Sequence, residues 1–277
     1  MLDFIRLCRP YYALPLSLTY LLTLFYAMGG SLGAQWASAS ASTVAMALLI
    51  AFGHVMNDVC DVAADRINNP RRPLASGRVT RREGALLCGV LLASSGMAAA
   101  WARPAFMAVL AGVAVVLAGY NLLSKRLGVV KPFVVAALAV SIYPLAVAQA
   151  GEWTGPRRWA LAAFAGWFFL TALGYQILKD LRDVAGDQAV APHSSALQRQ
   201  PQRWQRVAAI ILWCGAAMLA APACLGCGWV YFYTALLAMA AAAMAGTVGL
   251  KWGLRLIYVE CVLVGIAATA DILVLGF

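Results

Sequence analysis

Six of the chain's eleven carboxylates fall in two short stretches, NDVCDVAAD (57–65) and KDLRDVAGD (179–187). The first supplies Asp58, Asp61 and Asp65, the second Asp180, Asp183 and Asp187, and the two sets differ by 122 positions throughout. Spacings of 0, 3 and 7 put three side chains on one face of an α-helix, so each triad is expected to form an acidic stripe at the end of its helix. Six unpaired carboxylates at one site would repel each other, and several would protonate. They become compatible when cations lie between them. Oxygen-only donors suit Mg²⁺, which is usually held by a few carboxylates together with the phosphates of a substrate. Asn57 adds an amide to the same end. The candidate metal ligands are therefore Asn57 and the six aspartates, and the six aspartates together with Lys125 are the candidate catalytic residues. The helix dipole disfavours acids at a helix C-terminus, so helix stability does not explain them.

Basic residues complete the pattern. The stretch RINNPRRPLASGRVTRRE (66–83) carries six arginines, and its two prolines and Gly77 mark a turn. Arg71, Arg72 and Arg78 have the forked geometry that grips phosphate oxygens, and Arg72 and Arg78 are the expected contacts. YNLLSKRLG (120–128) brings Tyr120 and Lys125 to the same edge, and Lys179 directly precedes the second triad. Both signs of charge at the rim of an apolar region suit a diphosphate with a hydrocarbon tail.

The elements that position these residues follow from composition. Of 277 residues, 63% are hydrophobic and 12% charged, about half the charge of a soluble domain. Nine apolar runs read as membrane helices, at about 11–33, 41–60, 84–102, 105–124, 131–150, 158–179, 206–224, 228–249 and 256–277. Residues 1–277 form a single all-α membrane domain in this reading. Arg6 and Arg9 before the first run resemble a signal peptide, but the run is long and eight more follow, so it reads as a retained helix. The N-terminus and the loops after helices 2, 4, 6 and 8 hold 18 of the 21 Lys and Arg. The positive-inside rule puts the N-terminus in the cytoplasm, the C-terminus outside and the triads on the cytoplasmic side. Topology thus accounts for much of the net charge of +10, and no nucleic-acid partner is expected. Helices 2 and 6 share an orientation, which suggests two four-helix pseudo-repeats with helix 9 appended.

Other polar residues weigh less. The seven cysteines are scattered apart from Cys224 and Cys227, and a lone CxxC is weak evidence for a metal. His54 lies one turn before Asp58 and reads first as a packing residue, while His193 falls in a loop. Glu260 and Asp271 lie in helix 9 near its expected ends; acids within a membrane helix are functional hypotheses by default. Tyr143, Trp167, Phe168 and Tyr175 lie at a depth where ring faces can steady a carbocation, although plain packing is the first reading of each.

These stretches resemble the UbiA superfamily of intramembrane prenyltransferases. NDVCDVAAD is similar to its NDxxDxxxD motif and KDLRDVAGD to its second aspartate-rich motif. NNPRRPLASGRVTRREGAL and YNLLSKRLG resemble the loop after helix 2 and the end of helix 4. The KDxxDxxGD form with RPLASG is most similar to the digeranylgeranylglyceryl phosphate synthase and homogentisate or chlorophyll synthase branches. The resemblance implies nine transmembrane helices around a central cavity and Mg²⁺-dependent binding of a polyprenyl diphosphate. It implies Asn57 and both triads as metal and diphosphate ligands, and Arg72, Tyr120 and Lys125 as residues holding diphosphate. The stretch at 188–205 departs from the family pattern and bears on the acceptor.

The expected reaction transfers a prenyl group from a polyprenyl diphosphate to a lipophilic or amphiphilic acceptor, aromatic or hydroxyl, within the membrane lipids. A terpene cyclase of the same superfamily needs the same diphosphate-ionising site, and a lipid-phosphate phosphoribosyltransferase shares the fold. A divalent-cation transporter is the rival of another class; it calls for acids at the midplane and on both faces, whereas both triads share one face.

Overall fold

The structure is a computed structural model that describes residues 1–153, 157–184, 188–189 and 200–276. Among these residues the fold is all-α. A short helix α1 (Leu2–Cys8) precedes α2 (Pro10–Ala27), α3 (Trp36–Cys60), α4 (Val62–Asn68), α5 (Arg81–Ala99) and α6 (Pro104–Leu123). Then come α7 (Lys131–Val140), α8 (Ile142–Ala150), α9 (Arg158–Arg182), α10 (Pro201–Met218), α11 (Ala221–Cys224), α12 (Trp229–Ala245) and α13 (Leu250–Leu275).

Local sequence sets most of the boundaries. Proline opens α2, α6 and α10, where its missing N–H would have no helical partner. Thr80 and Glu83 form a capping box that starts α5. Gly29 and Gly30, with φ of 67° and 90°, end α2 well before the expected 33. The expected single helix at 131–150 divides at Ser141, because Pro144 has no N–H and its ring conflicts with the carbonyl four residues back.

Six helical stretches are long and apolar enough to cross a membrane: Gly33–Cys60, Pro104–Arg126, Gly128–Ala150, Arg158–Arg182, Pro201–Cys224 and Leu250–Leu275. The other three expected segments are helical as α2, α5 and α12, but they are shorter or more polar. Large apolar side chains face outward on many of these helices, among them Leu86, Val115, Tyr233 and Leu237. That much exposed apolar surface suits a lipid surround, and the chain is an integral membrane protein.

Shifting the first half by 122 positions superposes helix on helix. Both α3 and α9 have 25 residues, and their bounds coincide after the shift. So shifted, α2 falls on α7 and α8 together, α5 on α10 and α6 on α12, with starts and ends within three residues. Among the described residues the long helix α13 has no such counterpart. Packing follows the same scheme, α3 lying along α2 and α5, and α9 along α7 and α10.

Candidate active site at the aspartate-bearing helix ends

The two triads sit where α3 and α9 stop. Asp58 is in the last turn of α3 and is 2% exposed. Asp61 is not on the same continuous helix: it occupies the break between α3 and α4 with φ −101° and ψ 14°. Asp183 ends α9 in almost the same conformation, φ −92° and ψ 10°. The expectation of one unbroken acidic face is thus corrected, because the backbone turns at the middle aspartate of each triad. At Asp61 the short carboxylate is held by two side chains, one a turn back and one from beyond α6: it accepts from Asn57 Nδ2 at 2.9 Å and lies 3.1 Å from Lys125 Nζ. Asp65 follows on α4 and is buried. Asp187 lies outside the described residues.

Each described aspartate meets a cation. Asp58 pairs with Arg9 and, at 3.2 Å, with Arg72. Arg72 Nη1 also donates to both oxygens of Asp65, at 2.7 and 2.6 Å, and Asn69 donates to the same carboxylate at 3.2 Å. Burial works against the Arg72 charge, but Asp58 and Asp65 outweigh it and raise its pKa. Asp180 accepts from Lys131 Nζ and from Gln176 Nε2, each at 2.7 Å. Asp183 is held by Arg182 through two bonds of 2.7 and 2.9 Å. Asn68, at the end of α4, donates to the main-chain carbonyl of Asp183 at 2.8 Å. That bond brings the two motifs to one place across 115 residues of chain.

Of the expected basic contacts, Arg72 and Lys125 reach the carboxylates. Arg78 does not: the Gly77 turn, φ 78°, carries it to α1. There it lies 3.3 Å from Asp3 and donates to the Arg71 carbonyl at 2.8 Å. Tyr120 lies in the last turn of α6. Lys179 is half-buried in the last turn of α9, beside Asp180. Sequence reasoning missed Arg9 and Lys131, having counted both as topological charge. The offset that revealed the aspartates finds them as well, because Arg9–Pro10 and Lys131–Pro132 are 122 apart.

Above the carboxylates the interior is apolar and aromatic. Tyr175 packs edge-on to Tyr258 at 5.9 Å, and Tyr143 faces Phe168 at 6.5 Å. His54 is packed against Tyr12 at 5.4 Å, and its Nε2 has no hydrogen-bond partner among the described residues. Glu260 is not near a helix end as expected, because α13 begins at Leu250 and the acid lies mid-helix, fully buried. It accepts from Trp167 Nε1 at 2.6 Å and from Thr171 Oγ1 at 3.0 Å. Trp167 is thirteen residues before Asp180, about 20 Å along α9. At the opposite end Asp271, also fully buried, pairs with Arg157 at 2.8 Å. It also accepts from the main-chain N–H groups of Gly228 and Tyr231. Cys224 and Cys227 are both free thiols, Cys227 lying 3.9 Å from the Tyr26 hydroxyl. His193 lies outside the described residues.

The donor set suits a hard divalent cation. It is carboxylate and amide oxygen only, with cations interleaved. No three His, Cys, Asp or Glu side chains among the described residues converge as a ready-made cage. Mg²⁺ is generally shared between a few carboxylates and substrate phosphates rather than held by a cage of protein ligands.

Comparison with known proteins gives the same frame. The model of the UbiA prenyltransferase family matches residues 16–256. A digeranylgeranylglyceryl phosphate synthase of Methanoculleus marisnigri is 35% identical over 187 residues, 67% of this chain and 64% of the relative. One from Halobacterium salinarum is 31% identical over 231 residues, covering 82% and 80%. The chain spans less than two thirds of the length of the Methanoculleus relative and 65% of that of Ignicoccus hospitalis. Among solved structures, a UbiA homolog from Archaeoglobus fulgidus bound to GPP and Mg²⁺ superposes with a TM-score of 0.71. It is 18% identical, and the match covers 98% of this chain and 100% of that one.

Proposed function

The chain belongs to the UbiA prenyltransferase family, and on that premise we propose that it transfers a prenyl group from a polyprenyl diphosphate to a hydroxyl acceptor in the membrane. The carrying observation is that two aspartate motifs, each interleaved with cations, meet at one end of an apolar helical interior. The relatives named digeranylgeranylglyceryl phosphate synthase favour a glycerophosphate-type acceptor. Residues 1–277 act as one domain of two four-helix pseudo-repeats plus α13, with the N-terminus and the site on the cytoplasmic side.

In this reading Asn57, Asp58, Asp61, Asp65, Asp180, Asp183 and Asp187 hold Mg²⁺. When bound, Mg²⁺ supplies positive charge to the diphosphate that leaves. Arg72, Lys125 and Lys179, with Tyr120, orient the diphosphate and favour the charge that grows on it as the C1–O bond breaks. The apolar interior excludes water, and the rings of Tyr143, Phe168 and Tyr175 face the cationic prenyl carbon. The acceptor oxygen then bonds to C1, and its hydroxyl proton passes to the departing diphosphate.

The test measures diphosphate released from C10, C15 and C20 allylic diphosphates by purified protein in detergent, with and without Mg²⁺ and an alkylglycerol phosphate. Release that needs both supports the proposal. Release without acceptor, giving a hydrocarbon or alcohol, makes the protein a cyclase. No release from any donor removes the reading.

A further inference from the structure

The end of the bundle away from the aspartates also gathers charge. There the loop from α2 to α3, the start of α6 and the end of α8 enclose a cavity of about 470 Å³, within the range of about 300–1,000 Å³ usual for small-ligand sites. The loop, MGGSLGAQ (28–35), turns on Gly29, Gly30 and Gly33, all at positive φ, and its side chains are mostly small. Arg103 and Glu152 both line the cavity. They form no ion pair with each other, and neither meets an opposite charge among the described residues. The Arg103 guanidinium has one hydrogen bond there, to Gln35 Oε1 at a long 3.5 Å. It lies over the bare Cα of Gly151, φ 84°, where a Cβ would collide with Nη1. Its backbone is fixed by Gln149, which is 1% exposed, accepts from the Arg103 N–H at 3.1 Å and donates to Ser38 Oγ at 2.6 Å. The scaffold, not a counter-ion, therefore holds Arg103 at the cavity.

Aromatic side chains put this cavity at the membrane surface. Trp36, Trp101, Trp153 and Trp159 are between 42% and 80% exposed. Trp36 follows Gln35, Trp101 precedes Arg103 by two residues, and Trp153 follows Glu152. Exposed tryptophans of a membrane protein gather at the depth of the lipid headgroups. Helix α6, which leads into the membrane from Arg103, is the least buried of the six long spans, and Met107 one turn on is exposed. An acyl chain has an open apolar wall there. A lone anion on Arg103 would leave Glu152 unmatched, and a lone cation would leave Arg103 unmatched. A guanidinium grips a phosphate by two bonds, and a carboxylate takes an ammonium. A ligand that carries both charges a few bonds apart satisfies the two side chains together.

We propose that this cavity binds the headgroup of a zwitterionic phospholipid with a primary ammonium, its phosphate on Arg103 and its ammonium on Glu152. The acyl chains run along α6. The bound headgroup ties the loop from α2 to α3 to the ends of α6 and α8. The 25 residues of α3, about 37 Å of helix, separate this site from Asp61, and the lipid takes no part in the prenyl-transfer reading.

The test measures lipid retention by native mass spectrometry on the full chain in detergent. The probes are dioleoylphosphatidylethanolamine, dioleoylphosphatidylglycerol and water-soluble phosphoethanolamine. No prenyl diphosphate is present, so failure here leaves the proposed reaction standing. The wild type is expected to hold the ethanolamine lipid about tenfold more tightly than the glycerol lipid, the worth of one charge-assisted hydrogen bond. Glu152→Gln is expected to bring the ethanolamine lipid down to the level of the glycerol lipid, whose own retention holds or tightens. Arg103→Gln is expected to weaken both lipids about tenfold. Arg255→Gln, which removes a charge at the aspartate end, is expected to leave retention unchanged. Equal retention of the two lipids by the wild type overturns the proposal, and so do Gln variants indistinguishable from it. Phosphoethanolamine that displaces the lipid at the lipid's own concentration makes the ligand a soluble zwitterion and overturns the lipid assignment. Should Arg103→Gln fail to fold, Arg103→Lys, which keeps the charge but loses the fork, and Glu152→Gln carry the same comparison.

Discussion

At the scale of single residues, the middle aspartates are the sharpest points of the site. Asp61 and Asp183 each sit at a helix end, where the side chain can change partners without disturbing the core. Asp61→Ala and Asp183→Ala should lower kcat by about 10²–10³, the usual cost of one electrostatic contributor, with little change in thermal stability. Steady-state rates alongside melting curves check this. Glu260 makes the opposite case. Glu260→Leu leaves the Trp167 and Thr171 donors buried without an acceptor and should cost about 1–3 kcal/mol for each. Glu260→Gln keeps an acceptor oxygen and should melt near the wild type, and thermal unfolding in one detergent compares the two. The aspartate spacing was legible from sequence because acids are rare in this chain and their period is strict. The turn at Asp61 was not, since Cys60–Asp61–Val62 contains neither proline nor glycine. Glu260 was misplaced because Lys251 and Arg255 were counted as loop, whereas α13 starts at Leu250 and includes both. Arg9 and Lys131 were hidden by an explanation sufficient in itself, that cations lie on the cytoplasmic side.

At the scale of elements, Asp271 serves α12 from another helix. Its carboxylate accepts from Gly228 and Tyr231 at the start of α12 while holding Arg157, a cap supplied across space. Asp271→Ala strands a buried guanidinium and two N–H groups and should destabilise the protein by about 3–5 kcal/mol, which chemical denaturation in micelles measures. Small residues set the spacing at the other end of α12. A Cβ at Gly246 would lie 2.8 Å from the Cα of Ala209, so α10 and α12 touch backbone to backbone there. Gly246→Ala should push these helices apart and lower the melting temperature, while Gly249→Ala, with open space around it, should not. Apolar runs revealed where the helices lie but not where they divide. Their ends depend on Pro144, Gly29 and Gly151, whose effect is local, and on the polar contacts of Asp61, which are tertiary.

At the scale of the whole molecule, the proposed orientation has a direct readout. Cys224 is exposed at the end away from the aspartates, and Ser76 lies in the loop beside them. A membrane-impermeant maleimide should label Cys224 in intact cells, and, with Cys224→Ser in place, a Ser76→Cys substitution should add label only after permeabilisation; the reverse pattern inverts the topology. The matching bounds of the two sets of helices have a consequence for biosynthesis. Asp58, Asp61 and Asp65 find their cations in Arg9, Lys125 and Arg72, all made before residue 127. Asp180 and Asp183 find theirs in Lys131 and Arg182, made after it. Neither half borrows charge from the other in these pairs, so the half translated first can leave the translocon with its buried acids already neutralised, and the Asn68 bond to Asp183 can wait until the second half arrives.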